Sequence, residues 1–163
     1  MAQAPASDLF AKLKSYVGKE YIFHGPEPIG AGAFRQYALS LEDFNPLYSD
    51  KAFAERHGLR DVMAPPTLIC DTWQFIEGDF DDRGELLGRG ELRELTGLRA
   101  GNDYEFFQPL HPDDVITARW KVKDAYEKSG RSGVTIFLEF EITYYNQRDE
   151  MLARNTELMF HRP

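Results

Sequence analysis

Two segments in the second half of the chain alternate strictly between apolar and polar positions. In "VITARWKV", Ile116, Ala118, Trp120 and Val122 share one face, and Thr117, Arg119 and Lys121 the other. In "VTIFLEFEITYY", Val134, Ile136, Leu138, Phe140 and Ile142 oppose Thr135, Glu139, Glu141 and Thr143. A period of two predicts strands with one buried face. The glycine-bearing "EKSGRSG" between them reads as a hairpin connection. "MLARNTELMFH" follows as a last strand, "NDYEFFQPL" precedes as a strand ending at Pro109, and "GKEYIFHG" is a further strand near the start. Five strands of this kind suggest one antiparallel sheet.

Ahead of the sheet block the period changes to that of a helix. "GAFRQYALSLED" carries Phe34, Tyr37, Ala38 and Leu41 at helical spacing. "SDKAFAERHG" has Ser49 or Asp50 as an N-cap and Gly58 as a stop. "PTLICDTWQFIEG" opens on Pro66, closes at Gly78 and is apolar on most sides, as expected of a buried helix. One buried helix and five strands predict an α+β fold, a sheet wrapped round a central helix, in a single domain over 1–163. The polar, glycine-rich stretch from Asp79 to Gly101 reads as a long loop.

Composition narrows the classes. The 163 residues include 19 Lys+Arg against 27 Asp+Glu, a net charge of −8. This argues against a broad nucleic-acid or anionic-membrane surface, which needs clustered positive charge. The single cysteine, Cys70, excludes an internal disulfide and fits a reducing cytoplasm. "MAQAPASDLF" has no basic run before an apolar core, so no signal peptide is expected, and no apolar run reaches the roughly 20 residues of a membrane helix. His24, His111 and His161 lack metal-ligand spacing.

The candidate chemistry lies in "YALSLEDFNPLYSDKAFA". Asp43 precedes an Asn45-Pro46 turn, and Tyr48 follows. With "APPTL" and "QPLHPDDVITARWKVKDAYEKSGRSG", this stretch resembles the MaoC-like hot-dog dehydratases, and more narrowly their N-terminal-type dehydratase domain, from about Val17 to Phe160. The resemblance implies a hot-dog fold that pairs into a double hot-dog. It also implies an acyl thioester of coenzyme A or acyl carrier protein as substrate, reversible hydration of a trans-2-enoyl group, and no metal or redox cofactor. Complete members read D-x-N-P-[LIV]-H. Their Asp and His activate a water, and a backbone N–H at the start of the central helix polarises the thioester carbonyl.

Carried over by position, Asp43 matches the family aspartate and Asn45, Pro46 and Leu47 the turn. Tyr48 stands in place of the histidine, and an ordinary tyrosine, titrating near ~10, is a poor base at neutral pH. Pro65-Pro66 stands where complete members place glycine, and proline has no N–H. The first donor there is Thr67, by its backbone or its hydroxyl. The resemblance therefore points to an incomplete half-site that builds acyl-binding space beside a complete MaoC-like chain.

Plainer readings accompany these. Asp43 and Asn45 suit an Asx-type turn, and Tyr48 suits packing. His57 is either a substitute base or a solvated helix end. Trp73, Phe75 and Ile76 line an acyl tunnel or simply fill the core. Arg131 and Lys128, in the hairpin, are candidates for coenzyme A phosphates. Three functions stay open: a hydratase subunit paired with a second hot-dog chain, an active homodimer using Asp43, and a non-catalytic acyl-thioester-binding module. Hot-dog thioesterases are suggested only by Asp71.

Overall fold

The computed structural model describes residues 6–69, 82, 92, 95–131 and 133–162. The chain opens on helix α1 (Ala6–Lys14), which the periodicity reading did not anticipate. A nine-residue helix is too short to hold by itself; what secures α1 is tertiary. Leu13 is fully buried, and Lys14 Nζ reaches both the Asp124 carboxylate and the Ala125 carbonyl at 2.9 Å.

Strand β1 (Glu20–His24) follows, then α2 (Gly30–Ser40), a 3-10 turn (Pro46–Tyr48) and α3 (Lys51–Arg56). Helix α2 ends three residues before the predicted Asp43. Glu42 adopts φ 55°, a left-handed conformation that stops the helix, and Leu41, expected on the apolar face, is half exposed. Asp50 caps α3 by accepting the N–H of Phe53 at 2.9 Å, and Gly58 ends the segment at φ 85°.

The sheet consists of β1, β2 (Leu98–Phe106), β3 (Thr117–Gly130), β4 (Gly133–Tyr145) and β5 (Met151–His161), antiparallel in the order β1-β3-β4-β5-β2. The alternation of β3 holds through Trp120 and Val122 and then slips by one at a bulge, so that Ala125 is the next buried residue. Strand β2 corrects the reading at both ends. Its first residues, Leu98 to Gly101, were expected in the long loop, and it stops at Phe106, where the N–H groups of Phe107 and Gln108 both turn to the Leu152 carbonyl. Gly97 enters β2 so close to β5 that a Cβ there would sit 2.3 Å from the Phe160 carbonyl oxygen. An exposed edge strand rich in polar residues shows no apolar alternation, so its start was not visible in the pattern.

The inner face of the sheet carries Ala118, Trp120, Val122, Ile136, Leu138, Phe140 and Ile142, and packs with Leu13, Phe34, Leu68, Ile69, Leu92 and Leu95. Residues 66–69 form the described start of the expected central helix; its remainder, with Cys70, Asp71, Trp73, Phe75 and Ile76, lies outside the described residues. Two polar residues share the inner face, Asn155 and Glu157, at 1% and 2% exposure. No described helix is long and apolar enough to cross a membrane.

Candidate active site

The Asp43 turn is built from local hydrogen bonds that its sequence dictates. The N–H of Asp43 reaches back to the Ala38 carbonyl at 2.9 Å, tying the turn to the end of α2. Asp43 Oδ1 accepts the N–H of Asn45 at 3.2 Å, and Asn45 Oδ1 accepts the N–H of Leu47 at 3.1 Å. Proline at 46 suits the first position of the short helical turn that Asn45 caps. The Asx geometry expected of these residues is therefore present, and Asp43 lines an open cavity of about 160 Å³. Arg35, Ala38, Leu39, Phe44, Asn45, Tyr48 and Ser49 complete that cavity.

Tyr48 is buried, at 8% exposure, while Asp43 is exposed. Burial raises the phenol above its ordinary range, and the negative charge of Asp43 and hydrogen bonding to it push in the same direction. The phenol thus holds its proton and acts as a donor toward Asp43. Chemically, Tyr48 offers this turn a hydrogen-bond donor and no base.

Thr67 reaches the same region by another route. The Leu47 carbonyl accepts the N–H of Met63 at 3.0 Å, and the Ala64 N–H donates to Leu110 at 2.9 Å, so the segment before Pro65-Pro66 is held against the turn. The Tyr37 hydroxyl, from α2, donates to Thr67 Oγ1 at 3.0 Å. Beside this lies a second cavity of about 280 Å³, lined mostly by apolar side chains including Met63, Pro66, Ile69, Phe106, Leu110 and Leu152.

The "HPDD" motif anchors this arrangement. Asp114, fully buried, accepts from the His111 N–H at 2.8 Å, from Arg60 at 3.1 Å, and from Asn146 and Arg148. The segment it holds accepts the Gly30 N–H at Pro112, fixing the start of α2. Arg35, Tyr37 and Asp114 were absent from the candidates read in the sequence. Asp114 stood within a quoted motif; Arg35 and Tyr37 had no signal beyond helical spacing.

Lys128 and Arg131 sit elsewhere. Both are exposed at the β3–β4 hairpin, where Lys128 Nζ lies over the rings of Tyr126 and Phe137 at 5.4 and 5.3 Å. They lie at the opposite end of β3 from Thr117, roughly 40 Å along a strand of this length. Within one chain they border neither cavity. His57 Nδ1 donates to the Phe53 carbonyl, 2.8 Å away, and the imidazole stacks on the Phe53 ring, as expected of a helix-end histidine. Among the described residues no group of three His, Cys, Asp or Glu side chains could hold a metal ion.

With fold and site in place, the class is clear. The chain belongs to the FAS1-like, dehydratase domain region family, whose model matches residues 15–155, and its fold is the α+β hot-dog of the MaoC-like proteins. A UPF0336 protein of Streptomyces avermitilis is 38% identical over 123 residues, covering 76% of this chain and 79% of the relative. Among solved structures, the ChsH1-ChsH2 complex from Mycobacterium tuberculosis superposes with a TM-score of 0.71 at 19% identity, covering 94% of this chain and 89% of that one. The C-terminally truncated HadBC (3R-hydroxyacyl-ACP dehydratase) complex from the same organism gives 0.69 at 15% identity, covering 90% and 97%.

Proposed function

We propose that this chain is one subunit of a trans-2-enoyl-thioester hydratase, equivalently a 3-hydroxyacyl-thioester dehydratase, and that it forms acyl-binding space beside a second hot-dog chain. The observation that carries the reading is the Asp43 turn set next to an apolar cavity in a dehydratase-family fold, with a protonated phenol where a base belongs. Hydration needs a base for water, a proton for Cα, and a donor for the carbonyl oxygen as charge gathers there. Asp43 can orient water, Thr67 can donate, and the apolar cavity can take an acyl group. A histidine base is missing from this chain's site, so a partner supplies it. The reaction calls for no cofactor; coenzyme A or a carrier protein enters as part of the substrate.

Edge strand β2 supports pairing. Among the described residues it bonds only to β5, and Leu98, Phe106 and Phe107 are 67%, 45% and 47% exposed along and beyond it. An open edge with apolar side chains calls for a covering chain. Heteromeric hot-dog complexes among the structural neighbours favour a second MaoC-like chain, with a homodimer as the other arrangement.

The test is hydration of short and long trans-2-enoyl-CoA thioesters by the chain alone, then with a complete D-x-N-P-L-H chain added. Activity appearing only in the mixture is expected. Turnover by the chain alone, abolished by Asp43→Ala, would replace this reading with that of an active homodimer.

A further inference from the structure

Tyr37 lies six residues before Asp43, on α2, with its ring packed against the core and its hydroxyl at the surface. That hydroxyl donates to Thr67 Oγ1 at 3.0 Å. A threonine hydroxyl has one proton to give and two lone pairs. Accepting from Tyr37 fills a lone pair and leaves the Thr67 proton to be directed elsewhere. Hydrogen bonds in series polarise one another, so the terminal O–H becomes a better donor. Threonine in a helical turn commonly returns its proton to a carbonyl three or four residues back. Among the described residues no carbonyl takes it from Thr67, which is exposed and lies in sequence between Pro66 and Ile69, two residues that line the apolar cavity.

One helix thereby locates both halves of the site. Consecutive residues of α2 do the work: Tyr37 holds Thr67 through its hydroxyl, and Ala38 holds the Asp43 turn through its carbonyl.

We propose that Tyr37 is a positioning residue that orients the Thr67 hydroxyl as the donor to the thioester carbonyl oxygen, replacing the backbone N–H that Pro65 and Pro66 cannot provide. This rests on the hydratase reading above. As water oxygen bonds to Cβ and a proton is delivered to Cα, charge builds transiently on the carbonyl oxygen. The Thr67 hydrogen bond strengthens there. Neither Tyr37 nor Thr67 loses its proton, and the net change is addition of one water.

The test uses the assembled protein and hexanoyl-CoA, a saturated thioester that binds without turnover. Infrared difference spectra report the thioester C=O stretch. Binding to the wild type should lower its frequency. Tyr37→Phe and Thr67→Val should each lose most of the shift, Thr67→Ser should keep it, and the double variant should match Thr67→Val. In enoyl-CoA hydration Tyr37→Phe should lower kcat about tenfold, a fraction of what loss of a direct oxyanion donor costs, with KM little changed. A wild type without a carbonyl shift, or a Tyr37→Phe variant that keeps both the shift and kcat, overturns the proposal, as does an effect on KM alone. A shift lost in Tyr37→Phe together with no hydration by any assembly supports the role of Tyr37 and refutes the hydratase reading instead.

Discussion

Asn45 and Leu47 are joined by a side-chain cap, Asn45 Oδ1 accepting the Leu47 N–H at 3.1 Å, and this bond shapes the turn that presents Asp43. Asn45→Ala should cost about 1 kcal/mol of stability, the usual cost of losing such a cap, and Asn45→Asp much less. Urea unfolding of the three proteins measures this directly. Because the same turn carries Asp43, the alanine variant should also lose activity beyond what its stability explains.

Tyr48 is held protonated by burial and by Asp43. Tyr48→Phe should leave stability within about 1 kcal/mol of wild type, since one partly compensated hydrogen bond is lost. Its pH–rate profile should keep the wild-type shape, because no titrating base has been removed. Tyr48→His, by contrast, should introduce a limb near pH ~6.5, with activity falling on the acid side as imidazole protonates. If Tyr48→Phe abolishes an alkaline limb, the phenol is a working acid–base group.

Glu157 faces the core at 2% exposure, 3.4 Å from Arg99, and its Oε1 has no hydrogen-bond partner among the described residues. Burial raises its carboxyl above the ordinary range, outweighing the opposing effects of Arg99 and Asn155. The folded state therefore binds this proton more tightly than the unfolded chain does. By linkage, the contribution is fully present below the unfolded glutamate value and is lost as pH rises through the folded one. Glu157→Gln should raise the melting temperature at pH 8, and the gain should shrink as pH falls toward 4. Thermal melts across that range that run parallel would contradict the assignment.

Among the described residues strand β2 is unpaired along one edge, with Leu98 67% exposed. Leu98→Lys should weaken association with a second hot-dog chain at least tenfold while leaving monomer stability nearly unchanged, because an exposed side chain contributes little to folding. Sedimentation velocity over a concentration series reads the change. An unaffected assembly would move the interface away from β2.

Much of this was legible in the chain. Period-two alternation placed β4 almost to the residue, because that strand is half buried and each side chain must choose a face, and the following last strand matches β5. Strand β2 and α1 were less visible. The first is an exposed edge with polar residues, and the second is a short helix secured by Leu13 and by Lys14 reaching Asp124. The first leaves no periodic trace, and the second carries helical spacing only in Leu9, Phe10 and Leu13, over a run of nine residues.

At the site the division follows the range of the interactions. Asp43, Asn45 and Pro46 form a turn whose hydrogen bonds span two residues, so their spacing was enough to announce it. By itself the sequence determined that turn, most of the strands, and the identities of Tyr48, Pro65 and Pro66, the last two without N–H groups. Only the tertiary structure decided that Tyr37 meets Thr67 across 30 positions, that Asp114 gathers Arg60 and Arg148, and that Lys128 and Arg131 stand at the far end of the sheet. Those pairings depend on how α2 and the strands pack, and packing joins residues that no local pattern connects.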